Sequence, residues 1–253
     1  MLVMREQASR WSSIEVLPSK GTQHKFNVNV LVNAILALGD SKFVFQSDQE
    51  SSIMALKRET AEVLRKDHGV TVIFRESPVG ESQSNGIAEM AARDMKWRVR
   101  TLRFATEEHH GVTIGPTHPC LTWIVRHAAF LYNRGQRDAN GRTPYELIKG
   151  RSYKTALPAF GEKVFYLPVG KRASKLHDRW LEGIFMGVAD RTDEIYVGTT
   201  KGIVRARSFK RLPTSAHTDK ALFWPVKGLT WNPAPGDPEW IEAPPANVKV
   251  VAD

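Results

Sequence analysis

The chain contains one cysteine, Cys120, in 253 residues, which excludes an intramolecular disulfide and a cysteine-built zinc cage of its own. Such usage fits a reducing compartment. No run of about eighteen apolar residues occurs, so no segment reads as a membrane-crossing helix. A lysine-rich amphipathic helix with a broad apolar face is also missing, which sets a membrane surface behind other acidic partners. The opening Met1-Leu-Val-Met-Arg-Glu is charged too early for a secretory leader, and an intracellular, non-secreted protein is expected. No internal repeat is visible. Acidic residues are few: 27 Asp and Glu stand against 36 Lys and Arg, a net charge of +9. A surplus of that size points to a polyanion, and nucleic acid is the commonest. The length suits two small domains, or one domain with a tail.

What is present is organised around one stretch, Ser77-Pro-Val-Gly-Glu-Ser-Gln-Ser-Asn-Gly-Ile-Ala-Glu-Met-Ala-Ala-Arg93, where a turn-rich polar run tips into a long helix. Ser84, Asn85 and Gly86 are helix-entry residues, because a short side-chain oxygen can take the orphan N–H groups of a first turn. The helix is expected to reach about residue 106. Along it Glu89, Arg93, Lys96, Arg100 and Arg103 recur at steps of three and four, one carboxylate leading four cations on one stripe. Ile87, Met90, Ala91, Val99 and Leu102 are expected to face the core. A plain solvated face is the ordinary reading of such a stripe. The reading sharpens because a second carboxylate, Asp48, lies upstream.

Strands are expected over residues 2–5 and 11–17, joined by a polar turn. Apolar residues at helical spacing follow from Lys25 to Leu38, stopped by Gly39. A short apolar strand over 42–46 delivers Ser47 and Asp48 at its C-terminal end, where open α/β sheets gather ligand groups. A helix over 51–67 ends at Gly69, and a strand over 70–74 feeds the anchoring stretch. This alternation implies a mixed α/β sheet with helices on both faces, Asp48 and Glu89 meeting at one rim. Residues 116–134 read as a buried helix in which His127 is a core or rim residue rather than a ligand, since no second ligand sits four residues away. Asn140-Gly-Arg-Thr-Pro144 is a turn opening a short helix. Beyond Arg151, strands over 160–167, 181–188, 194–198 and 203–209 give the pattern of a small antiparallel barrel. Lys171, Arg172, Lys175, Arg179, Arg205, Arg207, Lys210 and Arg211 keep it basic. From residue 214 onward the prolines cluster around Trp224, Trp231 and Trp240 without a period, and a disordered or loosely packed tail is expected.

The motifs Gln46-Ser-Asp48-Gln-Glu50, Gln83-Ser-Asn85-Gly86-Ile-Ala-Glu89 and Arg142-Thr-Pro144-Tyr, with the strand Gly161-Glu-Lys-Val-Phe-Tyr, resemble the integrase region of copia-type retrotransposon polyproteins over about residues 1–213. The resemblance implies a ribonuclease H-like core (1–150) and a basic SH3-like β-barrel (158–213), ahead of the Pro-rich tail (214–253). It makes Asp48 and Glu89 the second and third members of a carboxylate triad holding Mg²⁺ or Mn²⁺, hard ions that take oxygen ligands. It puts Arg93 and Lys96 on a DNA end, and with Arg100, Arg103, Lys171, Arg172, Lys175, Arg205 and Arg207 they form the expected DNA-binding set.

Forty residues separate Asp48 from Glu89, more than is usual for the family, and a longer loop near residues 79–82 would absorb the surplus cheaply. The family's first aspartate belongs on a strand ahead of the 2–17 hairpin, and its zinc-binding domain earlier still. Neither has a counterpart in these residues, and Glu6 belongs to the hairpin turn. The expectation is therefore a fragment that binds element-end and target DNA, forms a homo-oligomer, works in the nucleus or a cytoplasmic retroelement particle, and neither cuts nor joins DNA alone. The absent strand would leave two sheet edges without ladder partners. Two other readings stay open: a non-catalytic nucleic-acid-binding module, and a ribonuclease H-type nuclease.

Overall fold

The structure, a computed structural model, describes residues 1–76, 86–168 and 179–236. Among the described residues its contacts form two units, residues 1–76, 86–94 and 133–152, and residues 95–132, 153–168 and 179–236. One division falls between Ser152 and Tyr153, and the others fall inside two long helices.

In the first unit, β1 (Leu2–Arg5) and β2 (Ser12–Glu15) form an antiparallel ribbon, Leu2 opposite Glu15. Glu6 stays in the turn, accepting hydrogen bonds from the Ser9 hydroxyl and the N–H groups of Ala8 and Ser9. Burial alone would raise its carboxyl, but those bonds hold it below the usual range. Helix α1 (Lys25–Leu36) precedes a right-sized βαβ unit: β3 (Lys42–Ser47), α2 (Ser51–His68) and β4 (Thr71–Glu76), the strands parallel with Val44 opposite Ile73. Helix α2 stops where the sequence places the stop, at Gly69, whose φ of 65° lets its N–H return to the Leu64 carbonyl. Val28, Leu31, Val32 and Ile35 of α1 pack against Leu56 and Leu64 of α2, with Phe43 and Phe45 alongside.

The single mixed sheet expected from the sequence is corrected. The ribbon β1–β2 and the pair β3–β4 are separate two-stranded sheets. Among the described residues no helix covers the face that carries Val44 and Ile73, cross-strand neighbours that are both exposed. Neither sheet has a third strand among the described residues. The buried Asn133 amide covers part of the β2 edge: Ser12 N–H donates to its Oδ1 at 2.9 Å and its Nδ2 donates to Ser12 O at 2.8 Å. A short helix, α5 (Pro144–Lys149), opens on a full capping box, Thr143 and Glu146 each bonding the other's backbone N–H, with Pro144 at its start.

In the second unit, β5 (Lys163–Pro168), β6 (Leu181–Val188), β7 (Ile195–Thr199) and β8 (Gly202–Arg211) close into an antiparallel barrel, β5 pairing with both β6 and β8. The four strands fall within a few residues of their expected places. Helix α4 (Cys120–Gly135) contributes Cys120, Trp123 and Ile124 to a cluster with Ile184, Met186 and Ile203 of the barrel. His127 is buried among Phe130, Phe160 and Phe185, the core role expected of it.

The expectation of a disordered tail from residue 214 is corrected as far as residue 236. A 3₁₀ turn (Thr214–Ala216) leads into α6 (Lys220–Phe223), capped by the Asp219 carboxylate at 2.9 Å from Leu222 N–H. Phe223 is fully buried, and the Trp123 indole N–H donates to the Gly228 carbonyl at 2.8 Å. Gly228 (φ 95°) lies so close to the next turn that a Cβ there would fall 2.0 Å from Pro233 O. Single side chains dropped onto an existing core carry no period, which is why the sequence misled. Residues 237–253, with Trp240, lie outside the described residues.

Phe223 is stacked on two histidines, His110 at 4.1 Å and His118 at 6.0 Å between ring centroids. Burial pushes both imidazoles below their ordinary range, His109 adding to it for His110, while the Gly161 and Trp224 carbonyls and Asp219 oppose it. With folded-state values below the unfolded one near 6.5, the unfolded chain binds more protons as pH falls past that point. Stability is thus full above about pH 6.5 and declines on acidification. Thermal melts are expected to give a lower midpoint at pH 5 than at pH 7.5, and His110→Gln should shrink the difference. Equal midpoints for the wild type would contradict this assignment.

Candidate nucleic-acid interface

Helix α3 (Gly86–His110) carries the expected stripe. Its buried line runs through Ala91 in the first unit, then Met95, Thr106 and His110 in the second, with Val99 and Leu102 half-buried. Ile87 and Met90, expected inward, are exposed. The correction has a simple cause: at 100° per residue they lie well round the helix from Met95 and Val99.

Arg93, Lys96 and Arg100 are exposed, and no described carboxylate pairs with them. Arg103 is half-buried and held by Glu107 at 3.0 Å, one turn on. Glu107 also accepts the Ile114 N–H at 2.6 Å, so the pair closes the end of α3 as much as it offers charge. Arg98 turns away, its guanidinium over the Tyr132 ring at 4.8 Å. From Met95 to Thr106 the helix has four cations and no acid.

On the barrel, Arg205 and Arg207 share the carboxylate of Glu194, at 3.8 and 3.1 Å. Two guanidiniums against one carboxylate leave one net positive charge there. Lys210 lies over the Trp180 ring at 4.4 Å. Lys171, Arg172 and Lys175 lie outside the described residues.

Asp48 directly follows β3, and Glu89 lies in the first turn of α3, both in the first unit and both exposed. Neither carboxylate has a hydrogen-bond or ion-pair partner among the described residues. A hard divalent ion wants several converging oxygens. Among the described residues, no group of three or more His, Cys, Asp or Glu side chains could hold a metal ion. The described donor set therefore does not fit a two-ion centre.

Two residues of α3 escaped the sequence reading. Trp97 and Phe104 are 64% and 63% exposed, the most open large apolar side chains of the helix. Their spacing of seven, beside Arg93 and Arg100 at the same spacing, was a usable signal.

No family model matches the chain, and no curated protein matches it. Among solved structures, the crystal structure of the catalytic core domain of BIV integrase is similar over 58% of this chain and 84% of that one. The identity is 20% and the TM-score 0.39. A likeness this weak carries no weight for function, which has to come from the chain's own residues.

Proposed function

We propose that this chain is the nucleic-acid-binding part of a copia-type retroelement integrase, of the DNA-integration class, holding element-end or target DNA without joining it unaided. The observation that carries the reading is helix α3, where Arg93, Lys96 and Arg100 are exposed and free of described carboxylates. A row of unneutralised cations on one helix is what a phosphate backbone selects. The Gln-x-Asn-Gly-x-Ala-Glu run that opens the same helix supports the family reading. The barrel, taken as SH3-like, adds a second basic element through β8. Work in the nucleus or a retroelement particle, and self-association, belong to the same proposal.

Neutralising Z phosphates lowers log K against log salt with a slope of about −0.9Z on duplex DNA. The double variant Arg93→Ala, Lys96→Ala is expected to flatten that slope by one to two units in fluorescence anisotropy titrations. A variant that keeps the wild-type slope would return the stripe to an ordinary solvated face.

A further inference from the structure

We propose that the exposed face of α3 in the second unit is a stacking platform for single-stranded nucleic acid, with Trp97 and Phe104 taking bases and Lys96 and Arg100 taking phosphates. The proposal deepens the nucleic-acid reading above and rests on it. Two aromatic rings more than three-fifths exposed on one helix are costly to leave in water. Seven residues apart, they sit within about 20° of each other around the helix and about 10.5 Å apart along it. That rise equals about three steps of a strand at 3.4 Å per nucleotide.

The neighbours select the occupant. Lys96 and Arg100 are exposed beside the rings, and the helix has no carboxylate from Met95 to Thr106. A second copy of the same face would bring like charges together, which opposes self-pairing. A duplex would present phosphates to the cations but keep its base faces stacked and out of reach. Only an unpaired strand offers anionic groups and free π-faces together, and base–aromatic stacking is indifferent to sequence. Stacking alone does not read the 2′-hydroxyl, so DNA and RNA strands should bind within a few-fold of each other.

The test is anisotropy on the full chain with labelled oligo-dT, oligo-U and a duplex of equal length across a salt series. Trp97→Ala and Phe104→Ala are each expected to weaken single-strand binding roughly ten-fold, leave duplex binding within two-fold and leave the salt slope unchanged. Trp97→Phe should restore most of the loss. Both side chains are exposed, so matched circular dichroism and melting are expected. Unchanged oligo-dT affinity in Trp97→Ala, or a duplex bound more tightly than either single strand, would overturn the platform while leaving the phosphate-binding stripe standing. Sedimentation showing that Trp97→Ala converts a dimer to a monomer would assign the face to a second copy instead. Absence of binding to all three nucleic acids would overturn the underlying reading as well.

Discussion

Incubated with a labelled element-end duplex and Mn²⁺, residues 1–253 are expected to yield neither processed ends nor joined product. Phosphoryl transfer by paired hard ions uses carboxylates on both ions to stabilise the attacking and leaving oxygens. Asp48 and Glu89 are two carboxylates, and no described group of three or more metal-binding side chains exists around them. On the integrase reading proposed above, a triad short of one ligand would lose several kcal/mol of transition-state charge stabilisation, on the order of 10³-fold or more in rate. The polypeptide should therefore bind DNA in the same tube in which it fails to join it. Joined product that vanishes in Glu89→Gln would contradict this, and would show that another residue completes the set.

Glu162→Ala is expected to be the most damaging single change in the barrel. The Glu162 carboxylate is buried, receives both arms of Arg211 at 2.7 and 2.8 Å, and accepts the Ala159 N–H at 2.9 Å. The side chain thus ties the entrance of β5 to the end of β8, while the backbone carbonyl, which the substitution leaves in place, takes the Phe185 N–H of β6 at 2.8 Å. Arg211 is nearly half exposed and can return to water, which lowers the cost. The orphaned Ala159 N–H and the lost charge-assisted bonds still come to about 2–3 kcal/mol. For a chain of this size that is a fall of roughly 5–10 °C in melting temperature. Glu162→Gln, which keeps one acceptor, should lose about half as much. A shift under about 2 °C for the alanine variant would show that the carboxylate is not structural.

Much of the fold was legible because its elements announce themselves locally. Helix α2 has an apolar line and a left-handed Gly69 stop, α5 has Thr143-Pro144 with Glu146, and the four barrel strands have turn residues between them. Sheet assembly was not legible. Which strand lies beside β1 or β3 is decided by hydrogen bonds between distant segments, and no local period records it. The tail failed for a related reason: Phe223 and Val226 are buried by a core built elsewhere. At the candidate site, counting charges found Arg93, Lys96 and Arg100, yet it could not tell that Arg103 is taken by Glu107 or that Arg205 and Arg207 share Glu194. It also passed over Trp97 and Phe104, because an aromatic on an amphipathic helix is ordinarily assigned to the core.

The central claim, that α3 is the nucleic-acid surface, is tested most directly by photo-crosslinking a 5-iodouracil oligonucleotide to the full chain and mapping adducts by mass spectrometry. Adducts are expected on peptides containing Trp97 or Phe104, and they should disappear at high salt as the phosphate contacts are screened. Adducts confined to the barrel, with none between Arg93 and Phe104, would contradict it.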